Sequence, residues 1–121
     1  MASPSVYKSP NLNAKNTGSI FLFNNLPFSF GATKIMFHCL TADSITVPPT
    51  ISVGTNAPDY DNIFAAQQLP GLTAEKEYMS FPLDNQLLND IPANTPIYAN
   101  ISQAAQGTAQ TITINVEGEP L

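Results

Sequence analysis

A chain of 121 residues with nine acidic and four basic side chains, one cysteine and no tryptophan carries a formal net charge of −5. That length suits one domain with its own core. An acidic chain without arginine lacks the basic footprint that nucleic-acid binding needs, and a lone cysteine excludes an internal disulfide framework. Charged residues make up only 11% of the chain, so polarity rests on Asn, Thr, Ser and Gln.

In chain order, residues 1–18 carry two Ser-Pro steps, several Asn and two Lys. A residue before proline is pushed out of the helical region, so this stretch reads as an extended N-terminal arm, ordered only if something holds it. Residues 19–121 read as a single domain. Ser19–Phe23 is a predicted strand closed by Asn24-Asn25, and Leu26–Phe30, broken by Pro27, is an edge or connecting piece. Thr33–Leu40 is a predicted strand with Ile35, Phe37 and Cys39 on one face and Lys34, Met36, His38 and Leu40 on the other. The second face is part polar and needs a loop, a second sheet or another copy to cover it.

Ser44–Val47 and Thr50–Val53 are β-branched runs around Pro48-Pro49. They read as two short strands, or as one strand passing from one sheet to another. Gly54–Asn62 is a loop. Ile63–Leu69 sets helix against strand: its Ala and Gln favour helix, but Pro70-Gly71 limits it to about two turns. Tyr78–Leu83 is a strand weakened by Pro82, and Leu83–Ile91 is turn-rich with room for one helical turn. Ile97, Ala99 and Ile101 alternate with Tyr98, Asn100 and Ser102, as Ile112, Ile114 and Val116 do with Thr111, Thr113 and Asn115. With Gly107 between them, these two runs predict an antiparallel hairpin with one buried and one wet face. Short strands separated by Pro and Gly predict an all-β fold, an antiparallel β-sandwich of jelly-roll type.

Chemistry-bearing residues are few. His38 and Cys39 are strand neighbours, so they point to opposite faces and cannot form a nucleophile–base pair; Cys39 reads as a buried small hydrophobe. No further His or Cys exists to complete a metal site. Asp59, Asp61 and Asn62 could supply some of the oxygen ligands that calcium takes, but the EF-hand pattern is absent and such loop side chains usually bond to nearby backbone. Carboxylates that could pair across a sugar cleft exist among Asp43, Asp59, Asp61, Glu75, Glu77 and Asp84, yet a chain this small without Trp or Arg has little with which to line one. The sequence therefore predicts no enzyme, no cofactor and no metal. The phenylalanines Phe21, Phe23, Phe28 and Phe30 read as core, while Tyr60 in the loop and Tyr98 on a strand's outer face are placed to meet a partner. The N-terminus has no charged start or apolar core of a secretory signal, and the longest apolar run, Ile20–Phe23, is far short of a membrane span. Cytosolic synthesis and no membrane partner are the expectations.

Three stretches carry a resemblance: TVPPTISVGTNAPDYDNIFAAQQLPGL (residues 46–72), IPANTPIYANISQAA (91–105) and TITINVEGEPL (111–121). Their SVGT strand end, YDNI turn, IYANIS strand and closing VEG resemble small β-sandwich structural proteins of tailed-bacteriophage virions, the capsid decoration (cement) proteins and the β-modules of tail fibres and baseplates. The resemblance covers about two thirds of the chain, from Thr46 to the end. It implies a non-enzymatic virion protein, made in the host cytoplasm, that sits on the capsid surface and stabilises the lattice of the major capsid protein, commonly as a homotrimer. The alternative it implies is a receptor- or carbohydrate-binding module of a tail fibre or baseplate. Candidate partner-contact residues are Tyr7, Lys8 and Lys15 of the arm, with Tyr60 and Tyr98.

Overall fold

A computed structural model describes residues 5–24, 30–83, 90–92 and 94–120. Its elements are strands: β1 (Ser5–Lys8), β2 (Leu12–Asn13), β3 (Gly18–Asn24), β4 (Phe30–Asp43), β5 (Thr50–Gly54), β6 (Phe64–Gln68), β7 (Tyr78–Pro82), β8 (Asp90–Ile91), β9 (Pro96–Gln103) and β10 (Ala109–Pro120). They form a six-stranded sheet of order β1-β10-β4-β7, with β2 also on β10 and β8 on β4. The second sheet has four strands in the order β3-β9-β5-β6. Every pairing is antiparallel. The all-β antiparallel sandwich expected from the alternation is the fold observed.

The alternation also sets the core. Ile35, Phe37 and Cys39 of β4 and Ile112, Ile114 and Val116 of β10 are buried on one sheet, and Ile51, Val53, Ile97, Ala99 and Ile101 on the other. Rings close the gap between the layers: Phe37 meets Phe64 of β6 at 5.1 Å between centroids, and Tyr7 of β1 stacks on Phe23 of β3 at 5.2 Å. Inward and outward residues follow the period of two because a sheet with one covered face must bury every second side chain.

The predicted hairpin does not form. β9 pairs with β3 and β5, whereas β10 pairs with β4, β1 and β2. The two strands belong to different layers, joined by an arch at residues 104–108. Both carry one apolar face, and that pattern is satisfied equally by sitting side by side or by facing each other across a core. The arch is held from outside the two strands. Ala105 N–H donates to Ala14 O at 2.9 Å, Thr108 N–H to Asp43 O at 2.9 Å, and Gln106 bridges to Val47. Gly107 adopts φ +147°, and a Cβ there would lie 2.8 Å from Ile45 Cα, so the close approach needs glycine.

Other expectations are refined. Ser44–Val47 is not a strand but a crossing that holds a single bridge, Val47 to Gln106. The chain leaves the six-stranded sheet after β4, passes Pro48-Pro49 and enters the four-stranded sheet as β5, as the double proline allows. Residues 64–68 are strand, not helix, because Phe64 and Gln67 pair with Val53 and Ile51, and tertiary pairing outweighs the helix preference of Ala and Gln. The possible helical turn within residues 83–91 and the reading of Phe28 lie outside the described residues.

The segment read as an N-terminal arm is extended, and it runs along the edge of the six-stranded sheet. Ser5–Lys8 pairs with residues 115–118 of β10, and Leu12–Asn13 pairs with residues 111–112. Between these strands Ser9 is buried; its N–H donates to Ile114 O at 2.9 Å and its Oγ accepts from Ile114 N–H at 2.8 Å. Leu12 and Ala14 join the core. What holds the segment is the chain's own last strand.

Candidate functional site

The five candidate contact residues fall in three places. Tyr7 lies opposite Val116, an inward position, and is packed against Phe23 between the layers. Burial raises its phenol above the usual tyrosine range. Lys8, one residue on, projects from the opposite face beside Asn115 and is exposed. Lys15 sits in the turn after β2, where its Nζ donates to Gly107 O and ties that turn to the arch.

Tyr60 and Tyr98 come together although 38 positions separate them in the chain. Tyr98 stands on the outer face of the four-stranded sheet, stacked on Tyr60 at 4.7 Å, and Phe21 of β3 meets its edge at 5.6 Å. Cross-strand pairing makes this row: Phe21 lies directly opposite Tyr98, and Gly54 of β5 lies on the other side. A Cβ at Gly54 would strike Asn62 Oδ1 and lie 2.7 Å from the Tyr60 carbonyl carbon, so the missing side chain is the space into which the 55–62 loop folds. Phe21, expected in the core, is 44% exposed. Aromatic residues near one another in sequence give no sign of which face each takes when a register shift intervenes, as it does between Phe21 and Phe23.

The 55–62 loop is a built structure. Asn56 Oδ1 accepts from the N–H groups of Asp61 at 2.9 Å and Asn62 at 3.2 Å, and Asn56 Nδ2 donates to Asp61 Oδ1 at 2.8 Å. Asn62 Oδ1 accepts from Thr55 N–H at 2.8 Å, and Ser52 Oγ donates to Asp59 O at 3.0 Å. Asp61 Oδ1 and Asn62 Oδ1, two of the oxygens that could serve calcium, are thus engaged within the loop. Among the described residues, no group of three or more His, Cys, Asp or Glu side chains gathers to hold a metal ion.

His38 and Cys39 point to opposite faces as strand geometry requires. His38 stacks on Tyr78 at 5.8 Å on the outer face of the six-stranded sheet. Cys39 is 1% exposed in the core, within 3.4 Å of Gln110 Nε2. Burial is the main cause that raises its thiol above the ordinary range; Glu77 and Glu75 push the same way against the Gln110 hydrogen bond. Gln110 Nε2 also donates to Leu72 O at 2.7 Å, a core amide that the sequence does not single out.

No family model and no curated protein matches the chain. Its fold does match solved structures. One is a chain of the cyanophage Pam1 capsid asymmetric unit, at TM-score 0.65 and 12% identity, covering 99% of this chain and 86% of that one. Another is a chain of the acid-stable capsid of Helicobacter pylori bacteriophage KHP30, at TM-score 0.61 and 15% identity, covering 100% of this chain and 92% of that one. The likeness to phage virion β-sandwiches read in the sequence is therefore present in the fold.

Proposed function

We propose that this chain is a non-enzymatic structural protein of a phage virion, a decoration protein that binds the capsid surface and stabilises the lattice of the major capsid protein. One observation carries the reading: each of the two phage-capsid likenesses runs over nearly the whole of both chains. Both of those chains are of about this size. The described surface offers side chains for contact and no assembled catalytic group, which fits a protein that acts by binding. Assembly as a trimer on the capsid, after synthesis in the host cytoplasm, belongs to the same proposal. A ligand that binds only the assembled lattice stabilises it by mass action. Particles made without the protein should still form and release their DNA at a lower temperature, and adding the purified protein back should restore the release temperature. Natural virions found not to contain the protein, or particles whose release temperature does not depend on it, would refute the role.

The ring row Phe21–Tyr98–Tyr60, with Phe21 exposed and both tyrosines half-buried, favours a second reading, a tail module that binds host-cell carbohydrate by stacking sugars on the rings. In that case purified protein binds host envelopes, Tyr98→Ala abolishes the binding, and the copy number per particle is that of a tail component.

A further inference from the structure

The outer face of the six-stranded sheet holds a depression of about 360 Å³ bordered by Lys8, Asn11, His38, Leu40, Thr113 and Asn115, with Ser9 at its base. Register assembles it from three strands: Lys8 of β1 lies opposite Asn115 of β10, and Thr113 of β10 lies opposite His38 of β4. No carboxylate borders it. Glu117, two residues along β10 on the same face, lies opposite Lys34. Asn115 is only 7% exposed, and its Oδ1 is buried with no hydrogen-bond partner among the described residues. Buried side-chain acceptors are almost always satisfied, so this wall lacks a donor, while the exposed Lys8 beside it has no carboxylate partner among the described residues.

A ligand that answers both needs carries a carboxylate next to a hydroxyl or N–H donor. The chain presents that chemistry on its opposite side. Asp59 and Asp61 are exposed on the 55–62 loop and Tyr60 is half-buried against Tyr98 of the four-stranded sheet, in a conformation already fixed by Asn56 and Asn62. A preorganised acidic turn loses little freedom on docking, and a chain of net charge −5 has few other places where a carboxylate of a second copy is welcome. We infer that the groove between Lys8 and Asn115 receives the Asp59–Asp61 turn of a second copy of this chain, the Asp59 carboxylate meeting Lys8 and the Tyr60 hydroxyl or the Asp59 N–H meeting Asn115 Oδ1. Groove and turn lie on opposite faces of the sandwich, so the two copies cannot exchange the contact reciprocally; it repeats from copy to copy and does not close as a two-fold pair. It holds independently of the virion reading, because it concerns the free protein.

Sedimentation equilibrium of the full chain tests it. At low salt the average mass should rise with concentration beyond that of a dimer, and it should fall at high salt as the exposed charges are screened. Lys8→Glu and Asp59→Lys change exposed side chains that take no part in the hydrogen bonds holding the loop, and circular dichroism checks that each variant is folded. Each should weaken association at least tenfold. Mixing the two variants should restore it, since the reversed groove then meets a reversed turn. Asn115→Leu, which leaves every charge in place, should weaken it several-fold. A chain that remains monomeric at the highest concentration, association that stops at a dimer, or association indifferent to both charge reversals would overturn the inference, and none of these bears on whether the protein is found in virions.

Discussion

Deleting residues 2–15 asks whether the N-terminal segment is an attachment to the sandwich or part of what folds. Read from composition alone, the deletion leaves the domain intact. The structure gives a different magnitude. Leu12 is 3% exposed in the core, and burying such a side chain contributes about 2 kcal/mol. Ser9 both donates to and accepts from Ile114, and losing those two bonds costs about 2 kcal/mol. The Tyr7–Phe23 stack adds roughly 1 kcal/mol beyond its area. The loss is about 5 kcal/mol, comparable with the whole stability of a marginal domain, ~5–15 kcal/mol. In urea, with a slope of ~1–3 kcal/mol per molar, the midpoint followed by far-ultraviolet circular dichroism should fall by about 2 M or more, or the deleted chain should be unfolded in buffer. Leu12→Ala alone should lose ~2–4 kcal/mol. A deleted chain whose midpoint stays within about 0.5 M of the full chain would show that the β1 and β2 edge adds nothing to the fold.

Three further outcomes are expected. Phe37→Ala empties a fully buried site in contact with Phe64 and Phe81 and should cost ~3–5 kcal/mol, lowering Tm by roughly 10–20 °C in calorimetry; a loss below 1 kcal/mol would contradict the packing described. Asn56→Ala removes three hydrogen bonds from an exposed loop, so global stability should fall by only about 1–2 kcal/mol while limited proteolysis within residues 55–62 speeds up markedly; an unchanged cleavage rate would mean the loop is held otherwise. Cys39 has a raised thiol pKa, so the unfolded chain loses that proton first: this contribution is intact below the unfolded thiol's range, about 8.5, and is lost as pH rises through the folded value. Urea midpoints measured from pH 7 to 10 should decline for the native chain and decline less for Cys39→Ala, and parallel curves would refute the assignment.

The period-two runs determined most of what the core is. Ile35, Phe37, Cys39, Ile97, Ile101, Ile112, Ile114 and Val116 could be read as inward-facing because burial on one side of a strand imposes alternation whatever the strand's neighbours are. The sandwich class followed from those runs and the prolines between them, as did the opposed directions of His38 and Cys39. Which strands are neighbours did not follow, because alternation records that a face is covered and not by what. β9 and β10 therefore looked like a hairpin and are opposite walls of the core. The segment before Gly18, with its prolines and asparagines, looked detachable, since ladder pairing uses backbone groups that every residue carries and leaves Val6, Tyr7, Leu12 and Ala14 as scattered apolar marks. The meeting of Tyr60 with Tyr98, and of Lys8 with Asn115, is likewise a matter of register and of the loop folding over Gly54. Contacts between residues far apart in the chain are decided by how the layers stack and how strands align, and only the tertiary structure contains that.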